Sequence, residues 1–237
     1  MAIISNQLIL VGTNELTTSM NAINLVASRE TPDCTVLGDA TRKYNAGGLK
    51  TVEAGGSGFY ESTLDGALNT NLAVHDTITS FLNDDTVASV AYSFKSVQTE
   101  YVPLKGSVGD LHGFDLKAMG RGDLVRGYVA YKGTVTATGA STAFQLGATS
   151  ASQSLYGIIH VTAVSGTDPT LDIDINSDDN SGMTSATTRD SFTQITAVTT
   201  EWVTTAGAIT DDYYQLDFTV GGTDSPSFDI AVILAVQ

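Results

Sequence analysis

The sequence predicts a mainly β protein: an antiparallel β-sandwich or barrel with one short helix, followed by a second sandwich-like region. Three observations carry that prediction. Leu171, Ile173 and Ile175 alternate with Asp172, Asp174 and Asn176, and the same period of two runs through 213–220 and 228–237, the mark of strands buried on one face. Turn-forming clusters, Asp-Asp-Asn-Ser-Gly at 178–182 and Gly-Gly-Thr-Asp-Ser-Pro at 221–226, separate these runs. Helical spacing occurs in a single stretch, 62–72, where Leu64, Ala67, Leu68 and Leu72 fall on one face, with Ser62 as its cap and Asp65 in its first turn.

Along the chain, 8–12 (LILVG) and 22–27 (AINLVA) are short apolar strands. Residues 49–60 form a long strand after the turn at 45–48. Gly55, Gly56 and Gly58 stand there in place of bulk, which marks a bend, a bulge or close approach by another backbone. Asn83-Asp84-Asp85 is a turn. Val90, Tyr92 and Phe94 point to one side of a strand that Pro103 closes. Residues 111–119 and 124–136 are strands joined by Gly120-Arg121-Gly122-Asp123. Composition shifts to Thr, Ser, Ala and Gly after residue 137, so the boundary is placed at 138/139: a first β domain over 1–138 and an acidic β-sandwich region over 139–237. Leu155 opens a strand to 164. In the last strand, Phe228, Ile230, Val232 and Leu234 share one face and Ala231, Ile233 and Ala235 the other, so it is expected to be covered on both sides.

Charge excludes some functions. The 237 residues carry 11 basic and 26 acidic side chains, a net charge of −15. From residue 133 onward there is one basic residue, Arg189, against twelve acidic ones. Nucleic-acid binding needs a basic footprint that this chain lacks. Cys34 is the single cysteine, so neither an intrachain disulfide nor a cysteine zinc site can form. No basic leader with an apolar core and no run of 18 apolar residues is visible, so the chain is expected to fold in a cytoplasm, with no membrane partner.

Chemistry-bearing constellations are few. His75, His112 and His160 do not share a metal spacing and read as surface or strand histidines. Asp172-x-Asp174-x-Asn176-x-Asp178-x-Asn180 has oxygen ligands on alternate residues, but a calcium loop needs Gly at its sixth position and Glu at its twelfth, where this chain has Ser177 and Met183. Arg121-Gly122-Asp123 spells an integrin-type tripeptide that three residues produce often by chance. No catalytic site, cofactor or metal is expected. Trp202, Tyr213 and Tyr214, with Asp178-Asp179, support one alternative, the aromatic platform of a carbohydrate-binding module; packing by large side chains accounts for the same residues.

The stretch 37–60, LGDATRKYNAGGLKTVEAGGSGFY, with its "GD…R…GGLK…GFYE" pattern and following helix, resembles the middle of major tail tube proteins from long, non-contractile (siphovirus-type) phage tails. The segments LYGIIHVTAVSGTDPTLDIDINSDDNSGM, EWVTTAGAITDDYYQLDFTVGG and SPSFDIAVILAV are similar to the closing half of a phage structural-protein family, with its D-x-N-S turn, Trp and final SPSF strand. The resemblance implies a tail-tube type sandwich with a flanking helix, assembled as hexameric rings stacked into a hollow tube. It implies a virion protein made in the host cytoplasm, whose partners are further copies of itself and the tape-measure and tail-end proteins. DNA would only pass through, repelled by carboxylates. On this reading Arg42, Lys43, Gly55, Gly56 and Gly58 form an assembly interface: the glycines for close packing against another chain or a bent sheet, the cations to meet acids on the next subunit.

Overall fold

Period-two alternation produces strands along nearly the whole chain, and a computed structural model describes residues 7–45 and 47–237. Strand accounts for 60% of residues and helix for 4%. The strands are β1 Leu8–Val11, β2 Asn14–Glu15, β3 Met20–Arg29, β4 Lys50–Phe59, β5 Thr77–Leu82, β6 Val90–Lys105, β7 Gly113–Gly120, β8 Val125–Val135, β9 Gly139–Ala140, β10 Phe144–Gln145, β11 Ser154–Asp178, β12 Thr187–Ser191, β13 Thr199–Ala206 and β14 Tyr213–Val236, with one helix, α1, at Ser62–Asn71. The chain divides into two compact units. One combines Met1–Thr18, Ile78–Ser93 and Val125–Gln237; the other combines Ser19–Thr77 and Phe94–Leu124. Gly139, where composition shifts, lies inside the first.

The first unit is organised around β11 and β14. They pair antiparallel from Leu155↔Val236 to Asp178↔Tyr213, with register shifts between residues 161 and 170. Each therefore has two halves. The half of β11 near residue 158 takes β13 as its other neighbour, and the half near 175 takes β12. Side chains from both halves meet in one core: Leu155, Ile159, Val161, Phe228, Ile230 and Val232 from one, Leu171, Ile173, Ile175, Tyr214, Leu216 and Phe218 from the other. A sandwich whose sheets share two bent strands is the result, with the corner made by the bulges. The opposite face of β14, Ala231 and Ile233, packs with Leu8, Leu10, Ile78, Leu82 and Ile158 in a second cluster. The last strand is thus covered on both sides, as its sequence requires. Removing each such Ile, Leu or Phe from water contributes about 1.5–3 kcal/mol, which makes β14 the main anchor of this unit.

The second unit carries a sheet in the order β3-β4-β7-β6. Val52 and Ala54 of β4, Phe114, Leu116 and Ala118 of β7, and Phe94 of β6 are buried. Helix α1 contributes Leu68, its buried residue. Gln98 Nε2 donates to the Leu68 carbonyl at 2.8 Å and Tyr101 Oη to Asp65 Oδ1 at 2.8 Å, which tie the helix to β6.

Several expectations are corrected. Residues 221–226 do not reverse the chain. Gly222, Asp224 and Ser225 take positive φ, but β14 runs on through them as the bulged corner. Likewise β11 continues across 164–171. Pro103 does not end β6, because a register shift between Val102 and Lys105 absorbs its missing N–H. Ala91 and Ser93, rather than Val90 and Tyr92, are the buried residues at the start of β6. The phase changes where both Ser93 and Phe94 are buried, the point at which β6 leaves one unit for the other. Ser62 is the first helical residue and not a cap; Glu61 holds the cap position without a side-chain cap bond. Its carboxylate instead accepts from Ser19 Oγ at 2.5 Å and Thr63 Oγ1 at 3.2 Å. Leu72, placed on the packed face by its spacing, is 40% exposed.

Candidate assembly surface

The glycines of β4 are explained within their own sheet. β4 lies between β3 and β7, with Gly55 opposite Asn24 and Lys117, Gly56 opposite Ile23 and Leu116, and Gly58 opposite Met20 and Phe114. A register shift between Met20 and Ala22 presses β3 inward here. A Cβ on Gly56 would strike the Ala22 carbonyl oxygen and the Met20 methyl, and one on Gly58 the Ser19 carbonyl oxygen and the Phe114 ring. At Gly55 the nearest atom would be the Leu116 carbonyl oxygen at 3.2 Å. Of the two readings of these glycines, the close approach is therefore made by the chain's own strands.

Arg42 and Lys43 stand in the excursion 30–49 that joins β3 to β4, where nearly every described residue is exposed. It continues the β3–β4 hairpin through Glu30 N–H to the Leu49 carbonyl (3.0 Å), Asn45 N–H to Pro32 (3.0 Å) and Cys34 N–H to Lys43 (2.9 Å). The Cys34 thiol is exposed and donates to the Lys43 carbonyl at 3.4 Å. Ala46 of the expected 45–48 turn lies outside the described residues. Lys43 Nζ pairs with Asp39 Oδ1 at 2.5 Å; with the Val36 N–H it holds the Asp39 carboxyl below its usual range. Arg42 is exposed and makes no ion pair among the described residues. Around these cations Leu37, Tyr44 and Leu49 expose apolar surface.

Cations elsewhere are largely neutralised: Lys50 by Asp123, Lys105 by Asp115, Lys117 by Glu100, Arg121 by Asp76, Lys132 by Glu15 and Arg189 by Asp211. The Arg121-Gly122-Asp123 turn thus has both charges engaged. Of the alternate acids, Asp172 accepts from Gln194, Asp174 from Ser191, and Asp178 from the N–H groups of Asn180 and Ser185. Asn176 donates to Asp217. Among the described residues no three His, Cys, Asp or Glu side chains gather to hold a metal ion. The aromatic platform does not assemble. Tyr214 is fully buried in the first core, whereas Trp202 packs against the second cluster and edge-on to Tyr156 at 6.0 Å.

One polar constellation escaped the sequence. His160 is fully buried; Nδ1 lies 2.7 Å from the Gly12 carbonyl and Nε2 2.8 Å from Ser80 Oγ, itself 2.7 Å from Ser93 Oγ. The imidazole donates from Nδ1 and accepts at Nε2. A backbone carbonyl occupies the place a carboxylate would take in a catalytic triad. His160, Ser80 and Ser93 are each 0% exposed, so no substrate reaches them, and the group pins β11 to β5, β6 and the turn after β1.

Comparison with known proteins gives no matching family model and no matching curated protein. Among the solved structures that match, three come from gene transfer agents or a phage. A chain of the native gene transfer agent virion matches at a TM-score of 0.42 and 18% identity, covering 50% of this chain and 93% of that one. A chain of the gene transfer agent tail, determined with C6 symmetry, matches at 0.38 and 18% identity, covering 45% and 80%. The Dit protein of phage SPP1, described as a hub of the adsorption apparatus, matches at 0.40 and 11% identity over 98% and 100% of the two chains. At these TM-scores the likenesses carry no weight of their own.

Proposed function

We propose that this chain is a structural subunit of the tail tube of a long-tailed phage, carried in the virion, which assembles into hexameric rings that stack to form a conduit for DNA. The observation that carries the reading is the open edge of the β3-β4-β7-β6 sheet. β3 runs ten residues and forms a ladder with β4 alone among the described residues. Its outer N–H and C=O groups are a template for another strand, and a copy pairing there, repeated around an axis, closes a ring. The sequence resemblance of the same stretch to tail tube proteins points the same way. Charge fits passage without capture: the net charge is −15 and, among the described residues, at least seven cations sit in ion pairs, so little is left to hold phosphates. Tape-measure and tail-end proteins are the further partners this role requires. Negative-stain electron microscopy of the purified protein tests the reading: rings or tubes support it, and a monomer that stays monodisperse at high concentration sinks it.

A further inference from the structure

Two turns at opposite ends of the β3-β4-β7-β6 sheet are built alike. Residues 36–39 read Val-Leu-Gly-Asp and residues 107–110 read Ser-Val-Gly-Asp. In each, the N–H of the aspartate returns to the carbonyl of the first residue, Asp39 to Val36 at 3.1 Å and Asp110 to Ser107 at 2.9 Å. Each aspartate Oδ2 also accepts from the N–H of that first residue, at 3.1 Å for Val36 and 3.0 Å for Ser107. The glycines take φ of +107° and +99°, the third position of a type II turn, which only glycine adopts without strain. What each turn displays is a fully exposed aliphatic side chain, Leu37 at 105% and Val108 at 109%. Val36 and Leu49 add exposed apolar surface at one end, Leu104 and Leu111 at the other.

We propose that these turns are the mating tips through which one copy of the chain binds the next head to tail, the Leu37 turn of one copy seating against the Leu104, Val108 and Leu111 surface of its neighbour. This names the contact between stacked copies and rests on the assembly reading above. The tips lie at opposite ends because β4 pairs with β7 from Phe59↔Gly113 to Glu53↔Met119; the first loop enters β4 at Lys50 and the second leads into β7 at Gly113. A ten-residue strand spans about 33 Å, so the two tips are separate surfaces, and a row of copies sets each tip against the opposite tip of the next copy. That is a heterologous contact, and it propagates. The turns are locked by their own hydrogen bonds, so little ordering entropy is lost when they dock. Arg42 is exposed at one end and Asp110 at the other, so this one pair of opposite charges can meet across the contact.

Disulfide trapping tests the contact on the full chain with Cys34→Ser as background. Leu37→Cys and Val108→Cys are placed on separate chains, each at a fully exposed position, and mixed under mild oxidation. The expected result is a disulfide dimer in the mixture and in neither variant alone, with a ladder of multimers when both cysteines are on one chain. Normal tubes in micrographs without a dimer in the mixture would show that stacking uses another surface, and the proposal falls while the tube reading stands. Dimers from Leu37→Cys alone would make the contact isologous and overturn it as well. A chain that forms neither rings, tubes nor disulfides removes both readings.

Discussion

At the scale of single residues, His160 is the most informative side chain. Burial pushes its pKa down to about 4; the Gly12 carbonyl pulls the other way, and Lys132, paired to Glu15, adds a smaller lowering. The sign of the linkage follows. In the unfolded chain an ordinary histidine titrates near 6.5, so between the two values the unfolded state binds the proton that the folded state refuses. Stability is therefore complete above about pH 6.5 and falls as pH drops towards 4, by on the order of 3 kcal/mol if burial is the whole effect. Carboxylates held below their usual range, Asp211 by Ser177 and Arg189 among them, release their stability only at lower pH, so the two windows separate. Thermal melts at half-unit steps from pH 7 to 4 should show wild type losing stability across this range and His160→Gln, weaker throughout, showing a flatter profile. Parallel profiles would mean that the histidine is not the titrating group.

At the scale of elements, β4 shows what a strand can reveal about itself in advance and what it cannot. Its three glycines announced close backbone approach, but only the paired strands show which backbone. The two ends of that glycine run should respond differently. Gly58→Ala places a Cβ against the Ser19 carbonyl and the Phe114 ring and should cost about 1–3 kcal/mol, the usual penalty of overpacking. Gly55→Ala meets an oxygen at 3.2 Å and should melt close to wild type. Equal melting temperatures for the two would refute this packing. The same contrast explains which other elements were legible. Leu171, Ile173 and Ile175 alternate because one face meets a core, and such local patterns showed the strands of β11 and β14 directly. Their continuity was hidden. Gly222, Asp224 and Ser225 have turn chemistry whether the chain reverses or only bends, and pairing across 50 residues decides between the two. His160 was illegible for a related reason. Its partners, Gly12, Ser80 and Ser93, come from three distant segments and form no spacing along the chain. For the proposed assembly surface, the sequence singled out Arg42 and Lys43, while the matched turns at 36–39 and 107–110 became visible only when their hydrogen bonds and opposite placement were known.

At the scale of the whole molecule, charge follows the two units. The first holds three basic residues against fifteen acidic, a balance of −12; the second holds eight against eleven, a balance of −3. If copies are brought together by the second unit, they approach through the less repulsive part of the chain, and a cation there has many acids to meet. Arg42 and Lys43 differ as probes of this. Lys43 is built into the hairpin by its backbone and by its Asp39 ion pair, so Lys43→Glu sets two carboxylates against each other and disturbs the loop itself. Arg42 is exposed and makes no ion pair among the described residues, so Arg42→Glu changes charge alone and should shift monomer stability by no more than about 0.5 kcal/mol. If the excursion meets acids on the next copy, Arg42→Glu should fold with unchanged circular dichroism yet need several-fold more protein to form rings or tubes. Added salt should then narrow the gap from wild type, because screening weakens a repulsion between exposed charges. Sedimentation velocity at low and moderate salt reads both effects together. Assembly of the variant at wild-type concentrations would leave Arg42 outside the contact, and the apolar turn beside it would have to hold neighbouring copies without help from charge.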